Sequence, residues 1–339
     1  MQEIRERYLS SQKRSKGGSV ERREPAIGGL VYVEIKNGRI EKEEIITKYA
    51  EARGIDHKNN ILILSSENKI FKIDMKQNSF QKFCNPWYSY IHTIKFNKEG
   101  NKILVASSGV DTIMEIDVED GKEIWTWNAW EEGLDRGLHP KTGEEYYITK
   151  NVARANYLKN NKKNVILIEN PHIQKLPTAL RTAFINSAEY DKNGNILLTF
   201  FHDGDVKLLN KKNRKLSVLI DNLTKPHGGQ QIKNKYLVTN TAGGEVTVWD
   251  KQELNKFIFS QLPGKDELLN TKEWLQTSHT VDNLIITIDS NRNSFVAIDH
   301  KKNEINLIPY NNNWAIQDFI ILSNDCELFT KIKKIINEE

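Results

Sequence analysis

The fold is decided by a segment that recurs five times, as KIFKID (69–74), TIMEID (112–117), VKLLN (206–210), VTVWD (246–250) and FVAID (295–299). Each copy ends in Asp or Asn and is followed by a polar turn, which reads MKQN, VEDG, KKNR, KQEL or HKKN. Alternating apolar and polar residues around such turns are typical of hairpins that bury one face. The repeat therefore predicts a protein built from β-hairpins.

Two further strands are predicted ahead of each copy. The nearer one reads ILILSS (61–66), KILVAS (102–107), ILLTFF (196–201), YLVTN (236–240) or LIITIDS (284–290), and the farther one lies in EARGID, YIHTIKF, FINSAEY, KPHGGQQ or TSHTVD. Four strands in a fixed order, repeated about every 40 residues, predict the blades of a β-propeller. The sequence contains five such blades in full.

A sixth blade is predicted from the two ends of the sequence. The hairpin GLVYVEI-KNG-RIEKEEII (29–46) supplies two strands, and AIQDFIIL (315–322) and CELFTKI (326–332) are expected to supply the other two. Joining both ends in one blade removes exposed sheet edges. We therefore expect an all-β fold: a single propeller of about six four-stranded blades over residues 25–335, with seven or five blades as the alternatives.

Two segments fall outside the repeat. Residues 1–24 hold seven Arg and Lys against four Glu, and we expect a flexible basic tail there. Residues 128–183 separate blades two and three, and a connection of that length usually has a function or a structure of its own. We predict that this insertion forms a lid.

Composition excludes several classes of protein. The chain is 38% hydrophobic and 28% charged, as in an ordinary globular protein. Most of the net charge of +4 lies in the basic tail, so the body has no basic stripe for a nucleic acid. No run approaches the ~18 apolar residues of a membrane span. With two cysteines and no hydrophobic signal segment, we expect a cytoplasmic protein.

The most informative residues lie at one position of the repeat. The first strand of each blade lines the channel of a propeller. Aligning the blades on their first turn places five residues at one mouth, Arg53, His92, Asn186, His227 and His279, with Gln317 or Asp318 completing the ring. Three of the chain's eight histidines share this position, which indicates a common functional site. Alternatively, these polar side chains only fill a wet channel and bind water.

The loops between the second and third strands open on the same face. They contribute Ser107, Ser108, His202, Asp203, Thr241 and residues 290–293. We predict that His202, Asn291 and Arg292 contact the substrate.

Two chemistries suit such a cluster. Neutral imidazoles of His92, His227 and His279 could bind Zn, Fe, Cu or Mn and leave positions open for substrate or water, while Asn186 and Arg53 position the substrate. Alternatively, one histidine acts as nucleophile or general base while an arginine pair, Arg53 and Arg292, holds a sulfate or phosphate. The leading hypothesis is a metal-dependent enzyme acting on a small molecule or peptide. A non-catalytic interaction scaffold is the alternative from another class.

The chain also resembles the arylsulfotransferase-like β-propellers. The resembling stretches are IHTIKFNKEGNKILVAS, DVEDGKEIWTWNAW, FINSAEYDKNGNILLTF and KPHGGQQIKNKYLVTNT, which include a Trp-rich strand followed by a long insertion and an "INS" strand. The resemblance implies sulfuryl transfer from a phenolic sulfate, carried by His92, His227, His279 and Arg292. The sequence departs from the family at Phe184, where a histidine is expected before the "INS" strand.

Overall fold

The structure is a computed structural model that describes residues 26–250, 254–269, 273–299, 301–302, 304–322 and 326–337. The predicted basic tail, residues 1–24, lies outside the described residues. Seven sheets are described, and five of them have four antiparallel strands in sequence order. The predicted all-β propeller architecture is confirmed in these five sheets, which we number I to V.

The strands of sheets I and II are β3 (Ile55–Lys58), β4 (Ile61–Ser65), β5 (Lys69–Asp74), β6 (Ser79–Cys84), β7 (Ile91–Phe96), β8 (Lys102–Ser107), β9 (Thr112–Asp117) and β10 (Glu123–Asn128). Those of sheet III are β14 (Ile185–Tyr190), β15 (Ile196–Phe200), β16 (Asp205–Leu209) and β17 (Leu216–Ile220). Those of sheets IV and V are β18 (His227–Ile232), β19 (Lys235–Asn240), β20 (Glu245–Trp249), β21 (Leu254–Ile258), β22 (Leu275–Val281), β23 (Leu284–Asp289), β24 (Ser294–Asp299) and β25 (Glu304–Pro309).

The second strands are mostly apolar because neighbouring sheets cover both of their faces. Every residue of β4 is buried, and so is every residue of β15. In sheet II, Val105 packs in the core shared with sheet I, whereas its neighbour Leu104 packs in the core shared with sheet III. Burying each such side chain contributes about 1.5–3 kcal/mol. These cores hold successive sheets face to face, with their first strands adjacent.

The region expected to form a sixth blade differs from its prediction. Strands β1 (Ile27–Lys36) and β2 (Arg39–Ala50) form the expected hairpin, but residues 315–322 form neither helix nor strand. The prediction of a strand at CELFTKI is wrong, because residues Cys326–Asn337 form a helix, which we call α2.

Helix α2 is explained by its apolar spacing. Leu328, Ile332 and Ile335 are separated by four and three residues, so they share one helical face, and all three are buried. That face packs against sheet I and the hairpin. No described helix is long and apolar enough to cross a membrane.

The insertion between sheets II and III has a structure of its own. It contains β11 (Arg136–Leu138), β12 (Glu145–Thr149), helix α1 (Val152–Asn160) and β13 (Asn164–Leu167), with short 3-10 turns at Ala129–Glu132 and Thr178–Leu180. The three strands form one mixed sheet. The chain then returns along residues 175–184 to the start of sheet III.

Candidate active site at the channel mouth

Irregular strand register presents the key side chains where the first strands begin. In sheet II the pairing shifts between Ile91 and Thr93, so His92 is the extra residue, and Asn186 takes the same place in sheet III. In sheet IV the shift follows His227. Such bulges re-aim a side chain and are frequent next to active sites. We call the end of the first strands where these residues lie the channel mouth.

His227 and His92 meet at this mouth. Their ring centres are 5.4 Å apart. The Nδ1 atom of His227 lies 2.7 Å from Oγ1 of Thr241, a residue of the predicted loop set. The imidazole of His227 also makes a hydrogen bond to the backbone of Lys225.

Both imidazoles are neutral at physiological pH. Burial lowers the pKa of His227 to about 4, and the charge of Arg53 acts in the same direction. Burial also lowers the pKa of His92 well below its usual value, with further lowering by Arg53, His227 and Arg181. Neutral imidazoles can accept a proton or attack an electrophile.

Asn186 links the two histidines. Its Nδ2 donates to the Pro226 carbonyl at 2.7 Å, next to His227, and its backbone carbonyl accepts a bond from His92. Its Oδ1 is buried and has no hydrogen-bond partner among the described residues. This oxygen is therefore an acceptor available to a ligand.

Two guanidinium groups flank the imidazoles. The Cζ atoms of Arg53 and Arg181 lie 3.9 Å and 4.1 Å from the centre of the Tyr90 ring. Arg53 donates to Gln317 at 3.0 Å and to Glu51 at 2.7 Å, while its Nε is buried without a partner in the described part of the chain. Together Arg53, His92, Arg181 and His227 form what we call the mouth layer.

Sequence reasoning did not identify Arg181 or Tyr90. Each of them lies just before the first strand of a sheet, Tyr90 before β7 and Arg181 before β14, and Arg53 likewise precedes β3. Entry into a first strand is therefore the signal that could have found them. Arg181 brings the end of the insertion next to Tyr90 and Phe184, and a lid formed by the insertion stays a prediction.

His202 and Phe184 lie beside this layer. The ring of His202 is 5.2 Å from that of Phe184, and its Nε2 is 3.0 Å from the Thr178 carbonyl oxygen of the insertion. Burial lowers the pKa of His202. An imidazole thus reaches the vicinity of Phe184 from the neighbouring loop.

Asp111 fixes the backbone around Phe184. Phe184 has a φ of 42°, a left-handed conformation that is unfavourable for a bulky side chain. The buried carboxylate of Asp111 accepts hydrogen bonds from the backbone N–H groups of Ala183 and Ile185, at 3.2 Å and 3.3 Å. It also accepts from the Trp130 indole at 3.3 Å. Asp111 therefore positions the turn that connects Arg181 to sheet III.

The placement of His279 at the mouth is wrong. His279 pairs with Ile286, three residues before the end of β23, just as Lys95 pairs with Leu104, three residues before the end of β8. It therefore matches Lys95, one layer below His92. The sequence alignment slipped because β22 and β23 are joined by only residues 282–283, whereas β7 and β8 are joined by residues 97–101.

His279 belongs to a second, deeper group of charges. Its Nε2 lies 2.9 Å from Oδ1 of Asp318, and Nζ of Lys95 lies 3.8 Å from Oδ2 of the same carboxylate. Of the two residues expected to complete the ring, Gln317 thus reaches the mouth and Asp318 lies below it. We call Lys95, Glu189, His279 and Asp318 the deeper layer.

In the deeper layer, burial and the charges of neighbouring residues set the pKa of each group. Burial would lower the pKa of Lys95, but Asp318, Asp56 and Glu189 outweigh it and raise that pKa. Burial raises the pKa of Glu189 to about 7, against the opposing charge of Lys95. The layer is therefore a buried ion network in which one carboxyl group, that of Glu189, has a pKa near neutral pH.

Arg292 is a structural residue, contrary to its predicted contact with substrate. Its guanidinium donates to Glu273 at 2.9 Å and to Asp289 at 2.8 Å, and also to the carbonyls of Phe259 and Leu262. Its side chain is 1% exposed, and these carboxylates and carbonyls already occupy its guanidinium group.

Other predicted loop residues also make local contacts. Ser107 accepts from the backbone N–H of Ser89, Ser108 donates to the Ile185 carbonyl, Asp203 pairs with Lys207, and Asn291 is buried with its backbone N–H donating to Asp289. Of the loop set, Thr241 is bonded to His227 of the mouth layer, and His202 lies beside Phe184.

The predicted three-histidine metal centre does not assemble. Of the three expected ligands, His92 and His227 are adjacent, whereas His279 is bonded to Asp318 one layer below. Within the described ranges, no group of three or more His, Cys, Asp or Glu side chains is arranged to hold a metal ion. The mouth combines neutral imidazoles with guanidinium groups, which is a donor set suited to an anion.

Comparison with known proteins supports the class of fold. No protein-family model and no curated protein matches this sequence. Similar solved structures are β-propeller-like proteins. One is a chain of the nidogen/laminin complex, at TM-score 0.56 and 10% identity, with coverage of 85% of this chain and 93% of that chain. The chain is therefore a β-propeller-like protein.

Two further structures resemble this chain. A protein of unknown function from Bacteroides caccae matches at TM-score 0.50 and 13% identity, over 80% of this chain and 88% of that chain. Virginiamycin B lyase from Staphylococcus aureus matches at TM-score 0.47 and 11% identity, over 76% and 69%. At these identities the likeness concerns the fold alone.

Proposed function

We propose that the channel mouth is the active site of an enzyme that acts on a small molecule carrying an anionic group. The observation that carries this proposal is the pair of neutral imidazoles, His92 and His227, 5.4 Å apart beside the guanidinium groups of Arg53 and Arg181. Guanidinium groups bind sulfate, phosphate and carboxylate, and a neutral imidazole serves as base or nucleophile. Neither role requires a bound metal.

Electrostatics favours this assignment. An anion at the mouth offsets the positive charges of Arg53 and Arg181, which lower the pKa of His92. Binding therefore raises the imidazole pKa and makes proton uptake by the histidine easier. The anion would therefore bind next to the histidine that acts as the base.

Sulfuryl transfer is the candidate reaction that the family resemblance adds. Nε2 of His227 would attack the sulfur of an aryl sulfate, the bond from sulfur to the phenolic oxygen would break, and the phenolate would leave and take up a proton. The oxygen of an acceptor phenol would then attack this sulfur, the nitrogen–sulfur bond would break, and the phenol would give its proton to the neutral imidazole of His92. Arg53 and Arg181 would stabilise the sulfuryl oxygens. The nearness of His202 to Phe184 supports this candidate, since it brings an imidazole close to where the family has one.

We also propose that six blades close the ring around this mouth. Val31 and Val33 of the hairpin pack on the sheet V core, and Leu30 and Ile46 of the same hairpin pack on the sheet I core. The Arg53–Gln317 bond joins sheet I to residues 315–322. These contacts support a sixth unit between sheets V and I, made of the hairpin and this segment.

The first test measures binding of inorganic sulfate and phosphate by titration calorimetry. Charge-assisted hydrogen bonds contribute ~1.5–3 kcal/mol, so we expect Arg181→Met to weaken binding by about tenfold or more. Arg136→Met is the matched control, because Arg136 is an exposed arginine of the same insertion, paired with Glu145. Equal affinity in the Arg181→Met variant and the unmodified protein would refute the anion site.

The second measurement addresses chemistry and metal content. We expect His227→Gln to abolish transfer from an aryl sulfate to a phenol, and with it the mass gain of one sulfo group on the protein, while His172→Gln, at an exposed histidine, retains both. Metal binding by His92 and His227 stays a prediction. Stoichiometric Zn, Fe, Cu or Mn that is lost in His227→Gln but kept in His172→Gln would replace the proposal by its metal-dependent form. An interaction scaffold would show neither anion binding nor transfer.

A further inference from the structure

A large apolar cavity lies beside the mouth. Its volume is about 1190 Å³, and it is enclosed by the β1–β2 hairpin, sheets I and V, and residues 314–322. Its walls include Val33, Leu64, Ile286, Leu307 and Ile316. Its volume is somewhat above the ~300–1,000 Å³ typical of small-molecule sites.

The cavity reaches the mouth layer at one end. Arg53, Glu51 and Gln317 line it, and these three residues form the hydrogen-bonded group at the mouth. Arg53 also lies over the Tyr90 ring together with Arg181. One arginine therefore belongs both to the anion site and to the apolar cavity.

Several apolar side chains of the cavity wall are only partly buried, unlike those of the core shared by sheets I and II. Val31, Val33, Ile286 and Ile316 are only partly buried where they pack on the sheet V core. By contrast, the core shared by sheets I and II has thirteen buried apolar residues and only Trp87 partly buried. Accessible apolar side chains facing a cavity are the wall that an apolar ligand requires.

From this juxtaposition we propose that the ligand of the mouth is an amphipathic anion, with its charged group at Arg53 and Arg181 and an apolar chain in the cavity. The inference rests on the proposed function, because it takes the mouth as the site of the anionic group. It adds the substrate class: monoanions with an alkyl or similarly extended apolar tail. The guanidinium groups of Arg181 and of Arg53, which is paired with Glu51, are complementary to the charged half of such a molecule, and the apolar wall is complementary to its tail.

Chain length is the variable that tests this inference. The probes are n-alkyl sulfates from methyl to octyl, used below their micelle-forming concentrations, with affinity measured by calorimetry on the full chain. If the tail enters the cavity, affinity rises about fourfold per methylene, the equivalent of ~0.8 kcal/mol for each buried CH₂. An affinity that does not change with chain length would overturn the inference even if inorganic sulfate binds.

Substitutions test separately the binding of the apolar tail and the binding of the charged group. Val33→Trp places a large ring on the cavity wall, and we expect it to flatten the chain-length dependence while inorganic sulfate binds as before. Val165→Trp is the matched control, since Val165 is a half-buried valine of the insertion sheet. Arg181→Met should weaken every alkyl sulfate by the same factor and leave the slope unchanged. Failure of the proposed function would appear instead as loss of binding for the whole series, methyl sulfate and inorganic sulfate included.

Discussion

The mouth layer and the deeper layer place the same kinds of residue in opposite electrostatic settings. His92 and His227 stand beside the guanidinium group of Arg53 and are held neutral. His279, three residues further along the repeat, is bonded to the carboxylate of Asp318. Burial together with the neighbouring charge, and not the residue type alone, thus decides what each histidine can do.

The difference shows which layer is arranged for ligand binding and which for the stability of the fold. Lys95 and Asp318 compensate each other in the deeper layer, and burial makes each of them dependent on its partner. The mouth layer holds guanidinium groups next to uncharged rings and retains acceptors such as Asn186 Oδ1 for a ligand. We therefore expect changes in the deeper layer to affect stability, and changes in the mouth layer to affect ligand binding and its pH dependence.

The largest effect is expected from removing the cation of the deeper layer. Lys95→Met leaves the charge of Asp318 and its neighbours uncompensated, and breaking a buried ion pair on one side costs about 3–5 kcal/mol. We expect a loss of that size in the free energy of unfolding, measured by urea denaturation at pH 7. Lys102→Met, in the same sheet, removes a more exposed lysine paired with Glu115 and should cost no more than about 1 kcal/mol. Equal losses in the two variants would show that the deeper layer is not a charge network.

The second effect concerns the free energy of unfolding, on which His227 and Glu189 confer opposite pH dependences. The pKa of His227 falls from 6.5 to about 4 on folding, so the unfolded chain takes up this proton first and stability is lost as pH falls from 6.5 to 4. The pKa of Glu189 rises from 4.5 to about 7, so its contribution is present below 4.5 and is lost as pH rises to 7. Each shift corresponds to roughly 3 kcal/mol at ~1.4 kcal/mol per pKa unit.

Two variants separate these contributions. Between pH 4.5 and 6.5, His227→Gln should reduce the rise of stability with pH, whereas Glu189→Gln should make it steeper. Differences from the unmodified protein are compared, so the groups common to all three chains cancel. Chemical denaturation at half-unit pH intervals measures both slopes, and parallel curves for the three proteins would contradict the assignment.

Most of the fold could be predicted from the sequence because its signals are local. Alternation and turn residues placed β8 and β9 without error and β4, β15 and β23 to within one residue. The CELFTKI segment was mispredicted because seven residues of mixed apolar character fit either period. Its helix becomes evident only with Ile335, beyond that segment, and from the apolar surface it covers. The count of six blades stays a prediction.

From the sequence, only the site residues that share one position of the repeat could be predicted. His92, Asn186 and His227 were found because they share one position of the aligned repeat, and the structure places a register bulge at that position in each strand. His279 was misplaced because a short loop shifted the alignment by three residues. Arg181 was missed because it comes from the insertion and reaches Tyr90 over a long distance in sequence. Contacts of that kind depend on tertiary packing, which periodicity does not encode.

The smallest effect is expected from Asp111→Asn, which tests whether the mouth layer is positioned from outside. The asparagine keeps one acceptor oxygen but directs an NH₂ group at the backbone N–H groups of Ala183 and Ile185, which should cost about 1–2 kcal/mol. Because this turn connects to Arg181, sulfate affinity should fall by less than tenfold, while the pH dependence set by His227 is retained. Asp117→Asn, which alters a turn carboxylate of the same sheet that bonds the Glu119 N–H, is the control and should leave sulfate affinity unchanged. Unchanged affinity in Asp111→Asn would mean that Tyr90 and Phe184 hold Arg181 without help from the turn.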